Sequence, residues 1–561
     1  MTLERAPRYR QMAEMLYQNA ILFPDHGVGY VQPDRSIRFT TFPELLDQSR
    51  RMAAGFHACG IRQGDVVILS LETNAEIIPV LWACFISGVV PALLQPPFSF
   101  TAYNPAAEKA EKVFHQLGRP RVILSHNHVD TWLRSGIPAD LLVDVSTVPL
   151  DSEEIPPVTI ADTDLALLQF SSGSTGDPKG VMLTHHNLVH NLCGIRNVLQ
   201  LRADECTISW MPLYHDMGLV GFHMTPMYVG ANCYFIETMD FIKNSLLWLD
   251  TMSHRPSVVT GCPNFGQTII NRFISRRKDP DWDLSGVRVI FNGAEPISIP
   301  AMQEFNANLS AFGYQPKAML PCYGMAEASL AISFTPLDEE PEVVSFRRSL
   351  LFSKGIVEEH AGPDDEVQLV NLGQHLSFCD FIIADDDDNP LPPDRTGHVL
   401  VKGDNITSGY YHSPEASKEV FRNGWLHTGD LGFVHKGDLF IMGRMKDIIF
   451  INGTNYYSND LESLALKADG VTYGKIVMAG YFDEKEGKDK VVVFMVAPAN
   501  ETSIEHFRSI QQHFLVTIGL MIDTFIPVRS QDIPRTSSGK IQRYKMVNRF
   551  LRGEFETIVR I

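Results

Sequence analysis

Short apolar runs recur along this chain between longer stretches of helical character: VVILSLE at 66, RVILS at 121, LALLQFSS at 165, CTISWMP at 206, NCYFIE at 232, SVVTGCP at 257 and VRVIFNG at 287. Runs of this length, rich in β-branched residues, read as strands buried on both faces, and their alternation with helices is the pattern of mainly parallel sheets covered by helices. The predicted fold class is therefore α/β, with ligands expected beyond the carboxyl ends of the strands. From about residue 376 to 442 the pattern changes to short strands with turn signals, and Lys436, Gly437 and Asp438 supply a hairpin turn within FVHKGDLFIMG. That stretch is predicted as a β-rich, barrel-like subdomain. After Gly443 and Arg444 a smaller α+β segment follows, which puts a domain boundary near Lys446 and divides the 561 residues into 1–446 and 447–561.

Charge narrows the function. Against 48 Lys and Arg stand 66 Asp and Glu, a net −18 that excludes a general nucleic-acid binder. Residues 447–561 carry 14 of each sign, so the whole excess sits on 1–446. The last stretch, 527–561, has 8 basic residues against 3 acidic ones, either a solvated face or a dock for an acidic partner. The 8 cysteines form no C-x-x-C pair, which fits reduced thiols in a cytosol, and the charged opening MTLERAPRYRQMAEML lacks the apolar run of an export signal. Cytoplasmic residence is expected. Only residues 77–94 imitate a membrane span, and Pro79, Gly88 and Pro91 within them favour a buried helix leading into a strand, so no integral membrane contact is expected.

The strongest local signal is SSGSTGDPKG at 171–180, directly after the strand-like LALLQF. Glycines let backbone N–H groups wrap an anion, hydroxyls add donors and Lys179 adds a cation for polyphosphate oxygens. It is not a Walker A loop, because Gly180 stands where a Ser or Thr would hold magnesium. Two further clusters imitate metal sites. His186 and His190 have helical i, i+4 spacing, but Asn187 occupies the position where a zincin carries glutamate; Asp385 to Asp388 ahead of N-P-L-P-P read as a solvated turn.

Further motifs follow in order: N-G-A-E-P at 292–296, Y-G-M-A-E at 323–327, T-G-D at 428–430, G-R-M-K-D at 443–447 and P-R-T-S-S-G-K at 534–540. With the phosphate loop they span nearly the whole chain, and together they resemble the adenylate-forming superfamily of acyl-CoA ligases, peptide-synthetase adenylation domains and luciferases. S-W-M-P-L-Y-H-D-M-G-L-V-G at 209–221, C-P-N-F at 262–265 and Y-G-M-A-E-A-S-L at 323–330 are similar to the fatty acyl-AMP ligase branch. Residues 344–374 stand where that branch carries an insertion linked to poor use of coenzyme A.

The resemblance implies a large N-terminal domain and a small mobile C-terminal one that turns about Lys446, with ATP and Mg²⁺ as cofactors. It implies that Ser172, Gly173, Ser174, Thr175, Gly176 and Lys179 hold the β,γ-phosphates and that Glu327 coordinates magnesium. Asn292, Gly293, Ala294, Glu295 and Pro296 would line the adenine, with Cys322, Tyr323, Gly324, Met325 and Ala326 around it and Tyr323 stacked on the base. Asp430 and Arg444 would take the ribose hydroxyls. Lys540 would bridge the substrate carboxylate and the α-phosphate as charge develops. The resemblance places His215 and Asp216 near the carboxylate end of the acyl site, His215 as a positioning donor or gate or in a structural role, while Trp210, Leu219, Phe222, Met224 and Gly261 either border the acyl site or pack the core. Ala326 replaces the superfamily's usual Thr, a feature shared by the acyl-AMP branch; Ser458 replaces its usual Pro in the segment facing the acceptor thiol. The implied reaction is activation of a medium or long fatty acid to acyl-AMP, followed by transfer to the phosphopantetheine of an acyl carrier protein. An acyl-CoA ligase and a non-turnover acyl-adenylate binding protein are the alternatives.

Overall fold

The computed structural model describes residues 3–97, 105–153, 158–171, 178–277, 280–360, 362, 365–451, 454–468, 470–472, 474–483, 488–498, 500–522, 524–535 and 541–560. Each apolar run singled out above is a strand, and the strands divide between two sheets. In a six-stranded sheet Val66–Ser70, Val90–Leu93, Arg121–Leu124, Leu142–Asp144 and Leu165–Ser171 run parallel, and Lys179–Thr184 closes one edge antiparallel to Leu165–Ser171. In a nine-stranded sheet Gly27–Val31, Asn232–Ile236, Cys206–Ser209, Val258–Gly261, Val287–Asn292 and Met319–Gly324 run parallel, with antiparallel strands at both edges.

The apolar stretch at 77–94 is a helix, Asn74–Ser87, followed by the strand Val90–Leu93. Thr73 and Glu76 close a capping box at the helix start, and Gly88 in the left-handed region (φ 68°) ends it. The helix is buried nearly all round because it lies inside the large domain, where Trp82 donates to Nε2 of His223 at 2.9 Å. Burial pushes His223 down to about 3, so its imidazole is neutral at physiological pH. No helix among the described residues is long and apolar enough to cross a membrane.

The β-rich region is an antiparallel sheet of Cys379–Ala384, Gly397–Gly403, Phe421–Arg422, Trp425–His435 and Asp438–Arg444. His435 faces Asp438 across a two-residue turn, with Lys436 (φ 52°) and Gly437 (φ 96°) both at positive φ, as a type I′ hairpin requires. Against this sheet packs a hairpin of Val343–Arg347 and Glu366–Val370 joined through the helix Arg348–Lys354. This is the segment placed at 344–374. Phe346 anchors it, edge-on to Phe433 and Phe440 at 5.1 and 5.4 Å.

The smaller C-terminal domain has its own apolar clusters. Its four-stranded sheet of Ile476–Asp483, Lys488–Val496, Thr524–Val528 and Val559–Arg560 packs Phe507, Phe514 and Phe525 on one face and Val477, Phe494, Ile526 and Met546 on the other. The basic residues at the end of the chain are largely paired within this domain. Arg543 grips Glu462 at 2.6 Å, Arg549 and Arg552 reach Glu554 at 3.2 and 2.6 Å, and Arg529 reaches Asp532 at 3.0 Å. Arg529 and Arg552 stay largely exposed within these pairs, in keeping with a solvated face whose cations share nearby carboxylates.

Candidate active site

Strand ends from both sheets, the antiparallel sheet and the C-terminal domain converge on one cavity of about 850 Å³. Its phosphate-loop side is built by a hairpin. Ser171 pairs with Lys179 across Leu165–Ser171 and Lys179–Thr184, which places Lys179 on the cavity wall, its Nζ 4.8 Å from the Tyr410 ring centroid. The intervening candidates Ser172, Gly173, Ser174, Thr175 and Gly176, like Lys540, lie outside the described residues.

Opposite, Met319–Gly324 delivers Cys322, Tyr323 and Gly324, and the turn after it adds Met325, Ala326 and Glu327. The Tyr323 hydroxyl donates to Asp430 Oδ2 at 2.6 Å, and Arg444 Nε donates to Oδ1 at 3.0 Å. Strand register makes that second contact possible, since Asp430 and Arg444 are direct partners on adjacent strands. Burial, then the Asp430 carboxylate, raise the Tyr323 phenol well above its usual range; Asp430 in turn raises Arg444. The result is a desolvated acid with both oxygens already held. Glu327, only 8% exposed, accepts from the Tyr410 hydroxyl at 2.8 Å through Oε1. Burial pushes the Cys322 thiol up to about 12.

The N-G-A-E-P loop is held from below by the C-P-N-F motif. Asn264 Nδ2 donates to the Pro296 carbonyl at 2.7 Å, its Oδ1 accepts the Ser298 N–H at 2.9 Å, and the Phe265 N–H points at Glu295 Oε1 at 3.3 Å. Ala294, Glu295 and Pro296 line the cavity, whereas Asn292 lies fully buried behind them. Gly293 is obligatory, because a Cβ there would meet the Cys322 carbonyl oxygen and sulfur at 2.8 Å.

At the other end His215 Nδ1 lies 2.8 Å from Asp216 Oδ1, and both side chains face the cavity. They precede a π-helix, Met217–Met224, whose wide turn is uncommon outside functional sites. The apolar lining here is Ile195, Met217, Phe291, Leu330 and Phe334. The expected acyl-site residues Trp210, Leu219, Phe222 and Met224 stand behind it in the packed core. Trp210 stacks on Phe241 at 3.9 Å, and Phe222 backs Phe291 at 5.3 Å. Gly261 leaves room for that ring, since its Cβ would sit 2.6 Å from Phe222. Those apolar residues support the wall from one layer deeper, a distinction that composition does not encode. Lys446 also borders the cavity, where the chain passes into the C-terminal domain.

Among the lining residues not anticipated from the sequence, three carry polar groups close to the phosphate hairpin or Glu327: Gln169, Tyr410 and Lys109. Lys109, on the helix Pro105–Gln116, donates from Nζ to the Phe170 carbonyl at 3.0 Å, one residue before the phosphate loop. Burial pushes its ammonium down to about 8, with no carboxylate among the causes. Its E-K-A-E-K surroundings look like a solvated helix face, so no signal in the sequence separates it from its neighbours.

The profile of the AMP-binding enzyme family matches residues 22–411, which include the hairpin, the N-G-A-E-P loop, Tyr323, Glu327 and Tyr410. The chain belongs to this family. Within it, this AMP-binding enzyme is 33% identical over 413 residues to TtuA, a medium-chain-fatty-acid–[acyl-carrier-protein] ligase of Teredinibacter turnerae, covering 69% of this chain and 63% of the relative. It is 28% identical over 552 residues to JamA of Moorena producens, a ligase of the same description, covering 93% of this chain and 92% of that one. Among solved structures it resembles the fatty acyl-adenylate ligases from E. coli and L. pneumophila, with a TM-score of 0.88, 26% identity and coverage of 98% and 100%. The AMP-binding enzyme is thus an adenylate-forming ligase with fatty-acid ligases among its relatives.

Proposed function

We propose that this enzyme activates a medium or long fatty acid with ATP to acyl-AMP and pyrophosphate, then passes the acyl group to the phosphopantetheine thiol of an acyl carrier protein. The observation that carries the proposal is a single cavity lined both by the Asp430, Tyr323 and Arg444 cluster and by the apolar residues Met217, Phe291, Leu330 and Phe334, together with His215 and Asp216. An adenosine and an alkyl chain need those two environments in contact, because the bond to be made joins them.

A carboxylate oxygen attacks the α-phosphorus, the bond from that phosphorus to the bridging β-oxygen breaks, and pyrophosphate leaves with its electron pair. Two anions must approach, so the site has to supply positive charge without reorganising. Lys179 and Lys109 flank the base of the phosphate hairpin for this purpose. Lys109 is suited to the task because a desolvated ammonium bonded to one backbone carbonyl gains strongly from an anionic partner. Asp430 accepts the ribose hydroxyls, exchanging its phenol contact for them. Glu327 fits magnesium: one oxygen is anchored by Tyr410 and the carboxylate faces the cavity, and a bound Mg²⁺ would offset phosphate charge there. Lys540, in P-R-T-S-S-G-K, is assigned to the developing charge between carboxylate and α-phosphate. His215, braced by Asp216, orients the carboxylate; an ionised acid has no proton to give up, so no general base is required.

The carrier protein as acceptor is supported by the names of TtuA and JamA and by the hairpin at 343–370. Arg348 of that hairpin pairs with Asp460 of the C-terminal domain, both nearly buried, and also donates to the Glu366 carbonyl at 2.9 Å. The test is to incubate the protein with ATP, magnesium and a ladder of fatty acids, with coenzyme A or a holo carrier protein, and follow products by mass spectrometry. Acyl-AMP that persists with coenzyme A and discharges onto the carrier is expected. Prompt acyl-CoA formation would make the enzyme an acyl-CoA ligase, and no acyl-AMP from any acid would overturn the proposal.

A further inference from the structure

The two histidines of H-H-N-L-V-H do not function as a zincin pair, yet folding gives them a third partner. His186 and His190 lie on the first turns of the helix His185–Leu199, and Asp404 arrives from more than two hundred residues away with its Oδ1 3.2 Å from His186 Nε2. One ligand atom from each of the three lies within 4.8 Å of the other two. His190 Nδ1 donates to the His186 carbonyl at 2.8 Å, which fixes the tautomer and leaves Nε2 with its lone pair outward. The two rings stand 3.9 Å apart between centroids, too close for both to carry a proton comfortably, and the edge of Phe378 closes one side of His190 at 5.1 Å. A His186–Asp404 ion pair explains two of these groups. It does not account for His190, which brings a third ligand atom to the same place.

We infer that His186, His190 and Asp404 form a binding site for one borderline divalent transition ion such as Zn²⁺, which clips the helix to the segment 404–407. Two imidazoles and a carboxylate are the donor set such ions favour, with a fourth position left to water. The segment the ion would clip also holds the candidate active site. Asn187 Nδ2 donates to the Asp404 and Ile406 carbonyls at 2.8 and 2.9 Å, the Ser329 hydroxyl donates to the Asn405 carbonyl at 2.9 Å, and the Thr407 N–H donates to the Glu327 carbonyl at 2.8 Å. An ion at the clip would therefore stiffen the strap beneath Glu327 without touching substrate. This goes beyond the proposed reaction and does not depend on it.

The test uses the full chain stripped with EDTA and titrated with ZnCl₂ against a chromophoric competitor, in excess MgCl₂. One Zn²⁺ per chain is expected, with a rise in Tm on binding. His190→Ala and Asp404→Asn should each weaken binding at least tenfold, while their Tm values in EDTA stay close to the parent's because Asp404 is exposed and both histidines are only half-buried. Absence of stoichiometric uptake, or uptake unchanged in His190→Ala, would overturn the site; a loss in Asp404→Asn alone would reduce it to the ion pair.

Discussion

Lys109 is the cation that ties the phosphate hairpin to the rest of the cavity. Its ammonium sits near a pKa of about 8, so charge is lost as pH rises through that value. The KM for ATP should therefore climb between neutral pH and pH 9 in the parent enzyme. Lys109→Met should raise that KM about tenfold at pH 7 with a smaller fall in kcat, and Lys109→Arg should restore it and flatten the alkaline rise; steady-state kinetics across pH separates this from a merely structural role. Glu237 makes the opposite case of a buried acid with no proposed chemistry. It accepts the Asn74 N–H at 2.8 Å, and burial pushes its carboxyl up to about 7. The folded state then holds a proton that the unfolded chain, with a pKa of about 4.3, has already lost. Stability falls as pH rises from about 4.5 to 7 and stays reduced above it. Glu237→Gln keeps the acceptor oxygen, so its Tm should exceed the parent's at pH 8 and converge with it near pH 4, as thermal melts would register. Neither residue was legible in the sequence, since both depend on which surface a neighbouring element happens to cover. Asp430, Arg444, Tyr323 and Glu327 were legible because short motifs fix their backbone and hence their direction.

At the scale of elements, strand positions were readable from apolar runs, but the allocation of those strands to two sheets was not. Leu165–Ser171 and Cys206–Ser209 look alike as strings and lie in different sheets because pairing depends on long-range partners. The π-helix at Met217–Met224 was equally hidden. Its residues are all buried, so no polar face reports the period, and its wide turn is bonded through contacts such as the Thr225 hydroxyl to the Val220 carbonyl at 2.8 Å. Gly218 is the residue that permits it. A Cβ there would stand 2.3 Å from the Pro212 carbonyl oxygen, in the turn that carries His215 and Asp216. Gly218→Ala should therefore push that turn aside and lower kcat/KM for the fatty acid at least tenfold, with little change in the KM for ATP. Equal losses for both substrates would show that the turn does not set acid placement.

For the molecule as a whole, the −18 charge argues against a nucleic-acid surface, while at the C-terminus the same arithmetic omits partners that come from elsewhere in the chain. Counting 527–561 alone leaves out Glu462, which neutralises Arg543 from a helix eighty residues earlier in the chain. Net charge is a property of sequence, whereas free charge is a property of the fold. The thiols follow the same logic in reverse. Cys84, Cys193, Cys206, Cys233, Cys262, Cys322 and Cys379 are all driven upward in pKa by burial, and Cys59 stands only half-buried at a helix end. Thiolate is the reactive form, so at neutral pH these sulfurs are chemically mute toward electrophiles and peroxide. Iodoacetamide on the folded enzyme should label Cys59 alone, by peptide mass mapping, and leave acyl-AMP formation intact. An enzyme whose nucleotide pocket contains a cysteine would then keep working through oxidative stress that silences thiol-dependent neighbours.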